Sequence, residues 1–180
     1  MTGDDAAALH RNLLEEYYAI MKVVSEYDAR LMIIEGWSVT LSLAGIGLAF
    51  SEGHYSLFAL AAFSAGGFWY VETLMKQHQL HHYARMRDIE VSSFHLEHLN
   101  IVGRLVSAPQ VDWSWGFNGK SGTPLPDMPQ RRSPAEVRTL LARAPWMPWV
   151  AIPHALAVVL GVLLFTLALI GTPGLSELKP

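Results

Sequence analysis

The stretch GWSVTLSLAGIGLAFSEGHYSLFALAAFSAGGFWYV, residues 36–71, decides the fold. Its two apolar parts, 36–50 and 55–71, carry no charged residue, and only the short segment SEGH separates them. A helix needs about 20 mainly apolar residues to cross a bilayer, with a lower limit of roughly 17. The second part meets that limit alone, and the first meets it when residues 32–35 are included. The stretch therefore predicts two antiparallel membrane-spanning helices joined by a tight turn.

A third apolar run follows near the C-terminus. Residues 144–176 are uncharged and include VAIPHALAVVLGVLLFTLALIG, which is long enough to span a bilayer. The whole chain is 51% hydrophobic and only 16% charged, whereas soluble domains carry about 25% charged residues. It contains no cysteine, which excludes disulfides and thiolate metal sites. We therefore predict an all-α integral membrane protein, since a soluble helical domain of this composition would leave large apolar faces in water.

Lysine and arginine are distributed unevenly around the three apolar runs. Residues 1–35 hold three of them, residues 76–145 hold nine, and the turn at 51–54 holds none. Because basic residues favour the cytoplasmic side, we expect the N-terminus and the 76–145 segment in the cytoplasm, and the C-terminus in the periplasm or outside the cell. The predicted location is the bacterial inner membrane. The net charge of −3 and the lack of a basic block argue against nucleic acid as a partner.

Both helices of the hairpin are predicted to continue past the lipid bilayer into the cytoplasm. Neither glycine nor proline interrupts the second helix after the span, so it is expected to run from Tyr55 to about Val102. We expect residues 1–106 to form a long transmembrane hairpin that ends in a cytoplasmic helical stalk. Apolar or aromatic residues recur along the first helix in the steps of four and three that form a coiled-coil seam, at Leu13, Tyr17, Ile20, Val24, Tyr27, Leu31 and Ile34.

The remaining chain divides into a loop and a helical segment. Residues 107–132, SAPQVDWSWGFNGKSGTPLPDMPQRR, are rich in Pro, Gly and Ser, which predicts a loop. The next four residues, SPAE at 133–136, carry the signature of a capping box with proline at the first helical position. The helix that begins there should end near Pro145. Residues 133–180 would thus form a short amphipathic helix and the third span, which should be kinked near Pro148–Pro153.

Two glutamates flank the predicted hairpin at similar distances from its turn. Glu35 lies 17 residues before Glu52, and Glu72 lies 18 residues after His54. At 1.5 Å per residue, both lie about 26 Å from the turn, near the inner edge of a hydrocarbon layer roughly 30 Å thick. One interpretation is a snorkelling pair in which Glu72 bonds Lys76 at i,i+4. The other is that an oligomer arranges Glu35 and Glu72 as a ring that favours cations at a pore mouth.

Three histidines follow on one face of the second helix. His78, His81 and His82 have the i, i+3, i+4 spacing of neighbouring side chains, and apolar residues beside them predict that they lie in the packing seam. Glu26 and Asp28 of the first helix are level with them. The histidines are interpreted as hydrogen-bonded seam residues, or as a pH-responsive cluster facing Glu26 and Asp28. A third interpretation is a zinc or iron site with His78 and His82 as ligands.

A further histidine lies inside the third apolar run. An intramembrane histidine such as His154 can bind haem, carry protons or hydrogen-bond to a neighbouring helix, and we favour the last role. No cofactor is predicted from the sequence, apart from the transition metal that the cluster around His78 would hold.

The long second helix contains WYVETLMKQHQLHHYARMRDIE, residues 69–90. Together with the hairpin before it, this helix resembles the architecture of small bacterial membrane effectors of the SLATT type. The resemblance covers about residues 10–100 and is one of topology, and the third span departs from the pattern. It implies an assembly that forms pores in defence against phage.

Our leading hypothesis is a homo-oligomer in the bacterial inner membrane that forms or gates an ion-permeable assembly. Small residues in the first two spans allow the close helix contacts that such an assembly needs, and the level glutamates could line it. One alternative is a metal-binding membrane protein or enzyme that uses the His78–His82 cluster. Another is a membrane anchor or assembly subunit that holds a soluble protein at the cytoplasmic stalk. No nucleophile–base pair is visible in the sequence, so an enzyme is less favoured.

Overall fold

The computed structural model describes residues 3–96, 100–101, 104–105, 111–112, 131–175 and 177–179. Four α-helices make up most of these residues: α1 (Gly3–Glu52), α2 (Ser56–Leu96), α3 (Pro134–Arg143) and α4 (Pro148–Leu169). A short 3-10 helix, Ala144–Trp146, links α3 to α4. The two-residue strands β1 (Asn100–Ile101) and β2 (Arg104–Leu105) pair antiparallel, with Asn100 opposite Leu105.

Three helical segments are long and apolar enough to cross a membrane, namely Asp4–Glu52, Ser56–Ser93 and Pro134–Leu169. Large apolar side chains remain exposed on all three, including Leu43, Phe63 and Leu156. Continuous exposed apolar surface of this kind marks contact with lipid or with another protein. The predictions of an all-α fold and of three potential spans are confirmed.

The chain divides into two compact units. The first unit contains Met1–Glu26 and His78–Leu141, and the second contains Tyr27–Gln77 and Ala142–Pro180. Both α1 and α2 therefore contribute residues to each unit.

The first unit has an apolar core between the two long helices. Tyr17 and Val24 of α1 pack with Met86 and Ile89 of α2, and all four are buried. Each of the seven residues of the predicted α1 seam, from Leu13 to Ile34, is buried or half-buried. The coiled-coil spacing of the sequence thus identified the inner face of α1 correctly.

A buried polar cluster lies beside that core. The Glu90 carboxylate accepts a hydrogen bond from the Tyr17 hydroxyl at 2.8 Å and another from the Asp112 backbone N–H at 2.7 Å. Arg87 lies 3.4 Å from Glu90 and 2.7 Å from the Asp112 carboxylate, which Arg132 contacts at 3.0 Å. Burial and the bond to Glu90 raise the pKa of Tyr17, so its hydroxyl remains a donor. The cluster fastens Asp112 to α2, and the hydrogen bond from Tyr17 to Glu90 links it to α1.

The predicted loop at 107–132 is described at residues 111–112 and 131–132, and the rest of it lies outside the described residues. The capping box that follows is confirmed. The Ser133 N–H donates to the Glu136 carboxylate at 2.6 Å, and the Glu136 N–H donates to the Ser133 hydroxyl at 3.2 Å. α3 ends at Arg143, two residues before Pro145, as the sequence predicted.

The hairpin turn and the C-terminal tail meet at one end of the second unit. Gly53 takes a positive φ of 69° in the turn, a conformation that favours glycine. The Lys179 N–H donates to the Gly53 carbonyl at 2.6 Å, and the Tyr55 N–H donates to the Lys179 carbonyl at 2.9 Å. The chain that follows α4 therefore returns to the hairpin turn, as expected if three successive spans alternate in direction.

Aromatic residues gather where α4 begins. The Trp69 indole N–H donates to the Pro145 carbonyl at 2.9 Å, and its ring packs edge-on against Trp146. Trp146 and Trp149 keep most of their surface exposed. Amphipathic rings of this kind are common where a span meets the polar edge of a bilayer.

α2 and α4 come into close contact at Gly161. A Cβ atom there would lie 2.8 Å from the Phe58 carbonyl oxygen and 2.9 Å from the Ala62 Cβ. We expect Gly161→Ala to lower the free energy of unfolding by about 1–3 kcal/mol because the helices must move apart. Unfolding in detergent, followed by circular dichroism, would measure this loss.

Gly67→Ala is the matched control for this prediction. A Cβ at Gly67 would meet nothing within 4 Å, so the substitution should leave stability unchanged or raise it by up to about 1 kcal/mol through helix propensity. Equal stability of the Gly161→Ala and Gly67→Ala variants would contradict the close α2–α4 contact.

Candidate functional site

His154 of α4 is the centre of a buried polar site in the second unit. Its Nδ1 lies 2.7 Å from the Ser38 hydroxyl of α1, and its Nε2 lies 2.6 Å from a carboxylate oxygen of Glu72 on α2. Ser38 and His154 are 0% exposed and Glu72 is 3% exposed. We call these three residues the Ser–His–Glu triad. The predicted hydrogen bonding of His154 to a neighbouring helix is confirmed, and it involves two helices.

Small residues on the inner faces of α1 and α2 make room for the triad. The α1 seam continues past Ile34 to Ser38 and Ser42, both fully buried. On α2, Ala61 and Ala65 are buried on the face that leads to Glu72. Short side chains let helices approach closely, so an imidazole on α4 can reach both neighbours directly.

The triad places an acid and a base in contact within an apolar setting. An ionised carboxylate buried there needs a charged or hydrogen-bonding partner. The His154 imidazole serves as this partner for Glu72. An ionised carboxylate beside a neutral imidazole carries one negative charge, and one added proton makes the pair neutral. The net charge of this buried pair therefore depends on a single proton.

Lys76 of α2 is a mostly buried lysine that contacts a carboxylate exposed to solvent. It lies one turn after Glu72 on α2, where i and i+4 side chains are neighbours, and it interacts electrostatically with Glu72. Its side chain is only 11% exposed, and its Nζ lies 3.8 Å from the carboxylate of Asp28, which is 57% exposed. Glu72 is buried against His154 instead of snorkelling, and the Lys76 ammonium contacts Asp28.

A groove of about 170 Å³ lies between α1 and α4 beside the triad. Its lining is apolar except for Ser42, whose hydroxyl is buried and has no hydrogen-bond partner among the described residues. The groove is lined by Val39, Ser42, Leu43, Ile46, Pro153, Leu156, Ala157 and Leu160.

The two glutamates of the predicted ring have different surroundings. Glu72 belongs to the triad and is buried within one chain. Glu35 lies three residues before Ser38 on α1 and is half-buried. A ring that includes Glu72 would require it to leave His154, whereas Glu35 retains accessible surface. The ring stays a prediction, and the structure favours Glu35 over Glu72 as its member.

His78 and His81 of α2 do not lie in the packing seam, so the prediction was wrong for these two histidines. His78 and His81 are exposed and His82 is half-buried. The inner face in this part of α2 is formed by neighbouring residues instead. Gln79 is buried and donates to the Val24 carbonyl at 3.0 Å, and Met86 packs in the core.

The carboxylates predicted to face the histidines are exposed as well. Glu26 is exposed, and Asp28 pairs with Lys76. Within the described part of the chain, no group of three or more histidines and carboxylates is placed to hold a metal ion. The zinc or iron site with His78 and His82 as ligands therefore gains no support from the described residues.

Comparison with protein-family models, curated proteins and solved structures gives no match for this chain. Function must therefore be argued from the triad and its surroundings.

A serine, a histidine and a carboxylate in one hydrogen-bonded line are also the components of a hydrolytic site. Ser38, however, is fully buried in the middle of α1. The backbone N–H groups around it are used within the helix, so they cannot form the oxyanion hole that acyl transfer needs. The arrangement is suited to holding and passing a proton, and not to attack on a substrate.

His154 and Glu72 were predicted as functional candidates, but Ser38 was not. A usable signal was present, because Ser38 follows Ile34 by four residues and continues the α1 seam. A serine at a seam position, among apolar residues, indicates a polar partner on the facing helix.

Proposed function

We propose that this chain is a membrane protein of the bacterial inner membrane that assembles as a homo-oligomer and forms or gates an ion-permeable assembly. The observation that carries the proposal is the buried contact between Glu72 and His154 inside apolar helices. Ionisable groups are costly at membrane depth, and where they occur they mark ion or proton pathways. The resemblance to SLATT-type effectors supports the same class of function.

Assembly from several copies is proposed because one copy offers few helices and much exposed apolar surface. Leu60 and Phe63 of α2 are exposed, and an added Cβ atom at Gly47 of α1 would meet nothing within 4 Å. Small residues on an open face let a second helix approach closely. Glu35, half-buried on α1, would then become the carboxylate accessible to ions between copies.

The proposal predicts a defined oligomer that conducts cations. Purified in mild detergent, the protein should have the mass of several copies, and in liposomes it should carry cation flux above that of empty vesicles. Removing both carboxylates, with Glu35→Gln and Glu72→Gln together, should reduce this flux about tenfold, which corresponds to about 1.4 kcal/mol of lost cation stabilisation.

Glu15→Gln is the matched control, since Glu15 is exposed in the first unit. It should leave both mass and flux unchanged. A monomer in mild detergent would contradict the assembly, and unchanged flux in the double variant would remove the two carboxylates from the conduction path.

A further inference from the structure

We propose that the groove between α1 and α4 binds an amphiphilic organic cation, with its alkyl part in the groove and its ammonium group between Glu35 and Trp149. The ligand enters from the bilayer, because the residues that line the groove belong to helices apolar enough to cross it. A single copy of the chain supplies the whole site. Binding therefore goes beyond the proposed function and does not require ion conduction.

The groove has the size and the lining of a site for a short alkyl chain. Its volume is about 170 Å³, close to the roughly 150 Å³ of an apolar cavity that holds one benzene molecule. It extends from Val39 to Ile46 along α1 and from Pro153 to Leu160 along α4, which is about 10 Å on each helix. Every lining residue except Ser42 is apolar, so the groove favours hydrocarbon over water.

Glu35 and Trp149 continue the two lining stripes beyond the same end of the groove. Glu35 lies four residues before Val39 on α1, and Trp149 lies four residues before Pro153 on α4. Side chains at this spacing are neighbours on one helix face. Each helix of the groove therefore adds one functional group above its apolar lining.

The contact between Ser38 and His154 sets the register of the two helices. The Ser38 hydroxyl lies 2.7 Å from Nδ1 of His154. Both helices run toward the hairpin turn, since the chain that follows α4 returns to Gly53. Glu35 lies three residues before Ser38, and Trp149 lies five residues before His154. The two residues are thus level to within about 3 Å along the helix axes.

Glu35 gives this end of the groove a negative charge. Its side chain is half-buried, and it makes no hydrogen bond or ion pair with another described residue. A carboxylate near the edge of the hydrocarbon layer is stabilised by a positive partner. Asp28 lies seven residues earlier on α1, and Lys76 is bound to it. A lipid phosphate would meet two carboxylates here, so the charges favour a cation.

Trp149 offers the cation a second contact. Its side chain is 61% exposed, and an indole face attracts ammonium groups more strongly than other aromatic rings do. Pro153 has no N–H to donate to the Trp149 carbonyl, so this oxygen can also face the cation. The Val150 and Ala151 N–H groups both donate to the Met147 carbonyl, and these donors of the first α4 turn are therefore used within the chain.

The test is binding of octyltrimethylammonium to the full chain in lipid nanodiscs, measured by calorimetry against empty nanodiscs. We expect saturable binding of one cation per chain. Glu35→Gln should weaken this binding about tenfold, because the charged partner is lost. Trp149→Leu should weaken it about threefold. Ala157→Leu should weaken it without any change of charge, because the larger side chain fills the groove.

Glu15→Gln and Trp37→Leu are the matched controls. Glu15 is exposed in the first unit, and Trp37 is exposed two residues after Glu35 on α1, away from that face. Neither change should alter the affinity. Octyl sulfate carries the same alkyl chain with the opposite charge and should not bind saturably. Equal binding of octyl sulfate, no saturable binding of the cation, or binding that Glu35→Gln leaves unchanged would each overturn the site.

Mass and flux measurements keep the ligand site separate from the proposed function. Saturable binding that depends on Glu35, in a chain without ion flux, would support the ligand site and overturn the ion-permeable assembly. Cation flux without binding of octyltrimethylammonium would overturn the ligand site and leave the assembly in place. An oligomer that does not bind the cation, and that Ala157→Leu converts to a monomer, would assign the groove to a second copy of the chain.

Discussion

Replacing His154 with leucine is expected to destabilise the protein by about 3–5 kcal/mol, the usual cost of removing one partner from a buried charged pair. Glu72 would remain 3% exposed with no imidazole beside it, and the Ser38 hydroxyl would lose its partner as well. Unfolding in detergent, followed by circular dichroism, would measure this loss.

A double variant distinguishes an orphaned carboxylate from a simple loss of packing. In His154→Leu with Glu72→Leu, no buried charge remains, so most of the lost stability should return, as is usual when both partners of a buried pair become apolar. His78→Leu is the control for the histidine-to-leucine change. Because His78 is exposed, its effect should stay within about 0.5 kcal/mol. A single and a double variant of equal stability would contradict the pairing.

The elements that sequence predicted well depend on local patterns. The hairpin turn, the α1 seam and the Ser133–Glu136 capping box are each encoded within a few residues. Helix caps and turns are formed by neighbours in sequence, so their chemistry can be read without knowledge of the fold. The steps of four and three along α1 likewise identified Tyr17 and Val24 as core residues.

The faces of α2 were harder to predict, because apolar character does not mark the inside of a helix in an apolar environment. Val71 and Leu74 were expected beside the histidines in the seam, yet both are exposed. The buried positions of the second unit include Ser38, Ala65 and Glu72 instead. Small and polar residues pack between helices when large apolar ones can face lipid. The wrong seam followed from applying the rule for soluble proteins.

The triad itself depends on contacts between residues that are far apart in the sequence. Glu72 and His154 are separated by 82 positions, and Ser38 and His154 by 116. The local rule for carboxylate and lysine at i,i+4 pointed to Lys76 as the partner of Glu72. Lys76 contacts Asp28, and His154 makes the direct hydrogen bond to Glu72. No spacing in the sequence could rank these two partners, because the choice depends on how close α4 comes at Gly161 and beyond.

The first unit offers the second large effect, because Glu90 accepts two hydrogen bonds and contacts Arg87 within a fully buried site. We expect Glu90→Leu to lower the free energy of unfolding by about 3–5 kcal/mol. Glu90 is 0% exposed. Its removal would leave the Tyr17 hydroxyl and the Asp112 N–H without their acceptor and Arg87 without one of its two carboxylates. Each buried donor left unsatisfied costs about 1–3 kcal/mol, so the separate losses are consistent with the total.

Asp88→Asn tests whether this loss depends on burial and not on acidic charge in α2. Asp88 lies two residues before Glu90, its side chain is 43% exposed, and it contacts Arg131 at 4.0 Å. An exposed pair of this kind contributes at most about 1 kcal/mol. Glu90→Gln should fall between the two variants, because an amide can still accept from Tyr17 but offers no charge to Arg87. Thermal unfolding in the same detergent would measure the order of stability of the three variants. If Glu90→Leu proved as stable as Asp88→Asn, the buried cluster would not be what holds Asp112 against α1 and α2.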